Sequence, residues 1–283
     1  MNCRDQLREK VTKELELNKL PDDVSISTMT FVCDIDIIFN CENIAKYMPL
    51  NILGVVNISY GRHGDNMTNR SIITKKKTKK EKKKKKIFYN QVSLAVMVPS
   101  KDKKPVNMKL FTNGSIQMTG CKTIDNAIDT LITMFEELKK VKAVINYDKK
   151  EIEEKPFVSD VTKLKLSNIK NLSIAMINSN FVVPFKINRD NLYRQLFVDK
   201  YNCTYDPEVH ACVNIKHEQP DKKVSIFVFE RGSVIVTGAK TCTHVANAYN
   251  FINEYLLRNI ELIKKRDTTD QTIVKYLEKI KTY

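Results

Sequence analysis

The chain is poor in the residues that announce chemistry. Only four histidines occur among 283 residues, and no His/Asp/Ser or metal-ligand cluster forms around them. No catalytic residues and no metal site are therefore expected, and no cofactor is implied. Seven cysteines, at 3, 33, 41, 121, 203, 212 and 242, show no CxxC spacing. Each stands where a small apolar residue would serve, which reads as reduced structural thiols and not as a zinc or redox site. No apolar run approaches twenty residues and no signal or transit peptide is visible, so neither secretion nor membrane spanning is expected.

What is present is a repeat. Residues 106–123 read VNMKLFTNGSIQMTGCKT and residues 224–241 read VSIFVFERGSVIVTGAKT. The offset is constant, Phe111 meeting Phe229, Gly114 meeting Gly232, and Thr119-Gly120-x-Lys122-Thr123 meeting Thr237-Gly238-x-Lys240-Thr241. Self-similarity dictates architecture before any local signal does, and two copies are too few for a solenoid. The expected product is one domain with internal pseudo-two-fold symmetry.

Each copy carries the same grammar. Residues 106–111 and 224–229 are short β-rich runs ending at Asn113-Gly114 or Arg231-Gly232, where glycine supplies the positive φ of a tight hairpin. In the first copy the period of two puts Leu110, Ile116 and Met118 on one face, and Lys109, Phe111, Gln117 and Thr119 on the other. In the second copy both faces are apolar: Val228, Val234 and Val236 against Phe227, Phe229 and Ile235. After Gly120 and Gly238 the period changes to 3.6. Ile124, Ala127, Ile128, Leu131, Met134, Phe135, Leu138 and Val141 form one amphipathic stripe, with Asp125 and Asp129 at its start. Val245, Ala248, Ile252, Tyr255, Leu256, Ile260 and Ile263 form the other. Two long helices thus cover one sheet face, and an uncovered apolar face remains as a binding surface.

The duplication extends upstream: 27–48 aligns with 175–196, each a strand followed by a short polar-capped helix. The larger offset there measures an insertion in the first copy, which contains KKKTKKEKKKKK at 75–86. The formal net charge is +15. Ten lysines against Glu81 supply +9 of it from this run alone, which leaves +6 for a moderately basic body. Blocks of like charge repel themselves and stay solvated, so a loop is expected, acting as a phosphate-binding tether or a localisation signal. Residues 1–22 and 267–283 read as helical extensions around repeats at 23–150, with the insertion at about 61–88, and at 151–266.

This order of strand, short helix, strands, hairpin, Thr-Gly-[Ala/Cys]-Lys and long helix, performed twice, resembles the TATA-box-binding protein core. Tyr205-Asp206-Pro207-Glu208-Val209 resembles the family's Tyr-Glu-Pro-Glu-Leu stirrup, and the run 225–240 resembles its strand–hairpin–Thr-Gly-Ala-Lys signature. The resemblance covers roughly residues 24–265 and is nearest to the divergent members found in large nucleocytoplasmic DNA viruses. It implies an α+β saddle: a curved antiparallel sheet from two pseudo-symmetric repeats, with two long helices on the convex face.

The resemblance also implies a function. Members of this family are themselves the type case of minor-groove binding by apolar wedges. Phe111 and Phe229 occupy one wedge position per repeat; His210 takes the second position in one repeat and Leu94 in the other, the latter aligned through Tyr89-Asn90. Thr119, Thr237, Ile235, Phe227, Lys109 and Gln117 fall on the groove floor. Thr28 or Thr30 and Asn178 stand for the family's central asparagines, and Lys122 and Lys240 for its phosphate-contacting lysines. Serines 115 and 233 replace lysines. Asp206, Glu208 and Val209 match the site for a transcription factor IIB-like partner.

The implied role is a transcription initiation factor that bends A·T-rich promoter DNA and engages the RNA polymerase machinery, in a nucleus, a cytoplasmic viral factory or a virion. A protein-interaction module that has lost TATA binding is the alternative. An enzyme acting on DNA is disfavoured, because no base-flipping pocket residues or Gly-rich helix-hairpin-helix are present.

Overall fold

A computed structural model describes residues 2–61, 68–73, 90–98, 104–146, 148 and 150–265. Its described residues separate into two compact units, those within Met1–Leu15 and Thr28–Ala175 and those within Glu16–Ser27 and Met176–Tyr283. The division falls inside a strand, between residues 175 and 176. The lysine run and the 267–283 tail lie outside the described residues.

In unit 1, β1 (Ser25–Asp34, from Thr28 onward), β2 (Val55–Tyr60), β3 (Thr68–Ser71), β4 (Gln91–Val96), β5 (Val106–Phe111) and β6 (Ser115–Cys121) pair antiparallel in the order β1-β6-β5-β4-β2-β3. The alternation read from sequence holds. Met108, Leu110, Ile116 and Met118 are buried, while Lys109, Phe111, Gln117 and Thr119 are half-exposed. The helices are α1 (Cys3–Leu15), α2 (Cys41–Tyr47) and α3 (Ile124–Leu138).

Helix α3 starts at Thr123, whose hydroxyl accepts from the Asn126 amide at 3.0 Å. It buries Ala127, Ile128, Leu131, Met134, Phe135 and Leu138, each large one contributing about 1.5–3 kcal/mol. Val141, expected on this stripe, is exposed, because the helix ends at Leu138. Asp125 and Asp129 of this helix hold α1, which buries only Val11 and Leu15. Arg4 donates to Asp129 at 2.7 Å, and Arg8 lies 3.3 Å from Asp125.

A ribbon of β7 (Lys142–Asn146) and β8 (Glu151–Lys155) follows α3. The insertion read at about 61–88 in the first copy contains β3. There Arg70 donates to the carbonyls of Ala45 (2.8 Å) and Met48 (2.6 Å), which ties the strand to α2.

Unit 2 repeats the plan with β9 (Lys170–Val182, from Met176 onward), β10 (Cys203–Thr204), β11 (Cys212–Glu218), β12 (Lys223–Phe229) and β13 (Ser233–Ala239), ordered β10-β11-β12-β13-β9. Its helices are α4 (Arg189–Val198), α5 (Cys242–Arg258) and the short α6 (Ile260–Ile263). The predicted second stripe breaks at Asn259, so Ile260 and Ile263 lie in a separate turn.

The two units share their irregularities as well as their strands. Gly120 and Gly238 sit at matching register shifts with φ of 89° and 91°. Gly114 and Gly232, at the hairpins, have φ of 91° and 84°. A Cβ on Gly114 would stand 2.0 Å from the Ile35 carbonyl oxygen, and one on Gly232 would stand 2.3 Å from that of Val183. The α2 and α4 caps match too: Asn40 accepts from the Asn43 amide and Asn188 from that of Asn191.

All seven cysteines are free. Burial pushes the thiols of Cys33 and Cys121 up to about 12 and those of Cys41 and Cys242 to about 11.

Candidate nucleic-acid interface

The open face of unit 2 follows from strand parity. Along β11–β13 the residues Val213, Ile215, Val224, Ile226, Val228, Val234 and Val236 are fully buried, and their neighbours point the other way. Register then fixes the map. Phe227 lies between Asn214 and Ile235, Phe229 beside Cys212, and Thr237 between Ser225 and Asn178. Phe227, Phe229 and Ile235 are half-exposed, forming an apolar strip on one side of the sheet. Most polar groups around the strip are already committed. The Thr237 hydroxyl donates to Asn178 Oδ1 at 2.5 Å, and Lys216 Nζ donates to Ser225 Oγ at 2.6 Å. Ser25 Oγ donates to Asn180 Oδ1 at 3.3 Å. Asn214 Oδ1 is covered and has no hydrogen-bond partner.

Unit 1 presents the same lattice with different chemistry. Phe111 lies beside Gln91, Lys109 between Ser93 and Gln117, and Thr119 between Asn107 and Thr30. Where unit 2 has the cross-strand pair Phe227–Ile235, unit 1 has Lys109–Gln117. Neither of those side chains makes a hydrogen bond among the described residues. At the end of β1 the carboxylate of Asp34 accepts from Ser115 Oγ at 2.7 Å and from Asn171 Nδ2 at 3.2 Å.

The hairpin carrying Phe229 is braced from behind. Arg189, in the first turn of α4, donates to Glu230 Oε2 and to the Ala211 carbonyl, both at 2.8 Å, and its guanidinium lies 5.7 Å from the Tyr205 ring centroid. Lys265 donates to the other Glu230 oxygen at 2.6 Å, and these bonds hold the Glu230 carboxyl below the usual carboxylate range. One arginine thus ties hairpin and stirrup together. Within the stirrup, Asp206 Oδ1 accepts from the Glu208 amide and the Asp206 carbonyl accepts from the His210 amide at 2.7 Å. Asp206, Glu208, Val209 and His210 are all exposed. Lys122 and Lys240 are exposed immediately before the caps of α3 and α5.

One expected wedge is misplaced. Leu94 is 2% exposed and lies opposite Met108 on the helix side, so it belongs to the core and cannot enter a groove. Pairing Gln91 with Phe111 and Cys212 with Phe229 makes Gln91 and Cys212 equivalent, and His210 then matches position 89, outside the described residues. Of the two threonine candidates, Thr30 is largely covered at 5% exposure, while Thr28 stays accessible. Ser93, Asn214, Lys216 and Asp34 share the open faces but were missed. The alternation in Val213-Asn214-Ile215-Lys216 carried that signal for β11; nothing local marked Asp34.

Comparison with known proteins agrees with this architecture. The family profile described as transcription factor TFIID, or TATA-binding protein, matches residues 171–259. Methanococcus jannaschii TBP superposes with a TM-score of 0.51 at 15% identity, covering 83% of this chain and 99% of that one, which shows a TBP-like α+β fold. A protein named TATA-box-binding protein 3, from Methanosarcina acetivorans, is 27% identical over 153 residues, 54% of this chain and 69% of its own length. The TATA-box-binding protein-like protein of Acanthamoeba polyphaga mimivirus is 34% identical over 282 residues, 92% of this chain and 74% of its own. On identity and coverage of that extent, the chain belongs to the TATA-box-binding protein family.

Proposed function

We propose that the protein is a DNA-binding transcription initiation factor that enters the minor groove with its open sheet faces and bends the duplex. The observation that carries this reading is the pair Phe111 and Phe229. They stand at equivalent positions beside matched hairpins, on the side away from the helices, and each keeps part of its ring accessible. An aromatic ring held there can unstack a base step, at a cost of a few kcal/mol offset by the larger surface a bent duplex covers. Phe227, Ile235, Thr237 and Thr119 line the floor beside the two rings, and the exposed Lys122 and Lys240 supply phosphate contacts. Asp206, Glu208 and Val209 form the exposed patch for a transcription factor IIB-like partner.

The test is affinity and bending of an A·T-rich duplex, read by fluorescence transfer between labelled ends, for the intact protein and for Phe229→Ala. A wedge predicts loss of both with folding retained. A second reading, an interaction module that no longer binds DNA, draws on the polar Lys109–Gln117 pair and the histidine at 210. It predicts no bending of any duplex, including pre-melted A·T DNA.

A further inference from the structure

The two open faces differ most at one matched position. Phe227 and Ile235 are directly cross-strand in unit 2, and Lys109 and Gln117 are their counterparts in unit 1. In the minor groove, A·T and T·A pairs show only acceptors, whereas a G·C pair adds the guanine amino donor. An apolar pair laid on that floor leaves the amino group desolvated without a partner. The polar side chains around Phe227 do not relieve this, since Asn214 Oδ1 is covered and Asn178 Oδ1 already accepts from Thr237. In unit 1 the Gln117 carboxamide is half-exposed and makes no hydrogen bond among the described residues, so its oxygen is available to that amino group. Its amide hydrogens and the Lys109 ammonium equally suit the acceptors of an A·T pair.

We infer that the two units read DNA unequally, unit 2 requiring A·T pairs through Phe227 and Ile235 while unit 1 accepts G·C pairs through Gln117. This rests on the minor-groove reading above and makes Gln117 and Ile235 specificity-determining residues.

The experiment walks a single G·C pair, and separately a single inosine·C pair, through an A·T duplex and measures affinity of the full chain. Inosine lacks the guanine amino group and changes nothing else in the minor groove. At steps under unit 2, G·C should weaken binding by on the order of tenfold or more, the effect of an unpaired buried donor, and inosine should restore it. At steps under unit 1, G·C and inosine·C should bind alike. Ile235→Gln should erase the first class of positions, and Gln117→Ile should turn the second class into the first. Both residues are half-exposed, and a thermal melt of each variant checks that it still folds. A G·C penalty equal along the whole duplex, or one that inosine does not relieve, overturns the inference and leaves minor-groove binding standing. Failure to bind any of these duplexes overturns both.

Discussion

Arg189 and Glu230 meet at 2.8 Å across the base of the hairpin that carries Phe229. The same guanidinium also donates to the Ala211 carbonyl, so it links the hairpin to the chain that follows the stirrup. Arg189→Ala should cost only about 1 kcal/mol of stability, the scale of a partly exposed ion pair. It should speed amide exchange at 229–233 and reduce duplex bending. Arg189→Lys keeps the charge but not the two-pronged geometry, and should behave like the alanine variant. Unchanged exchange in the hairpin would show that the brace does not set its position.

Phe229→Ala and Phe135→Ala should separate cleanly. The first removes a half-exposed ring: melting should move little, while affinity falls by about 1–3 kcal/mol, the range of an aromatic–base stack. The second empties the core beneath α3 and should cost about 3–5 kcal/mol of folding stability. Phe111→Ala should follow Phe229→Ala. If Phe229→Ala unfolds the protein and Phe135→Ala does not, the assignment of sheet faces is inverted.

Two glycines of unit 1 share a positive φ but not their surroundings. Gly120→Ala meets nothing within 4 Å and should cost about 1–2 kcal/mol for the left-handed backbone alone. Gly114→Ala drives a methyl onto the Ile35 carbonyl at 2.0 Å, so the hairpin must move and the loss should be at least twice as large. Chemical denaturation of the two variants makes the comparison.

His217 stacks on Phe251 at 4.4 Å, and burial lowers its pKa from the ordinary 6.5. The unfolded chain therefore takes up this proton first. The stability of the neutral, stacked ring is full above about pH 6.5 and is lost as pH falls from there toward the lower folded value. Urea midpoints should drop on acidification, and more steeply in the wild type than in His217→Phe. Parallel slopes for the two would remove His217 from the acid response.

Deleting 74–88 should leave the fold intact, since it spares β3 and the Arg70 bonds to Ala45 and Met48. A deletion reaching back to residue 62 removes that strand and should destabilise unit 1. The shorter deletion should also flatten the salt dependence of DNA binding, each lost phosphate contact removing about 0.9 from the log–log slope. A slope that stays the same would assign the lysines to localisation or to protein contacts.

Much of this was legible in the chain. The repeat, the face parity of β5, β6, β12 and β13, both long helices and both hairpin glycines could be read because each depends on local period or on backbone stereochemistry. The placement of Leu94 could not. Its parity was anchored on Tyr89-Asn90, and only cross-strand register, a long-range property, shows that Gln91 is the residue beside Phe111. Arg70 and Arg189 escaped for a similar reason, since a cation's partners across the fold leave no trace in its own neighbourhood. Val141 escaped because an amphipathic stripe does not announce where its helix stops.

The matched bulges and hairpins show that the duplication kept its backbone while the side chains above it diverged. A homodimer assembled from one such copy would be bound by symmetry to present the same residue pair twice, and so to prefer a palindrome. With Lys109–Gln117 in one copy and Phe227–Ile235 in the other, the single chain is free of that constraint. On the minor-groove reading proposed above, a DNA target read by two unlike copies can have a direction.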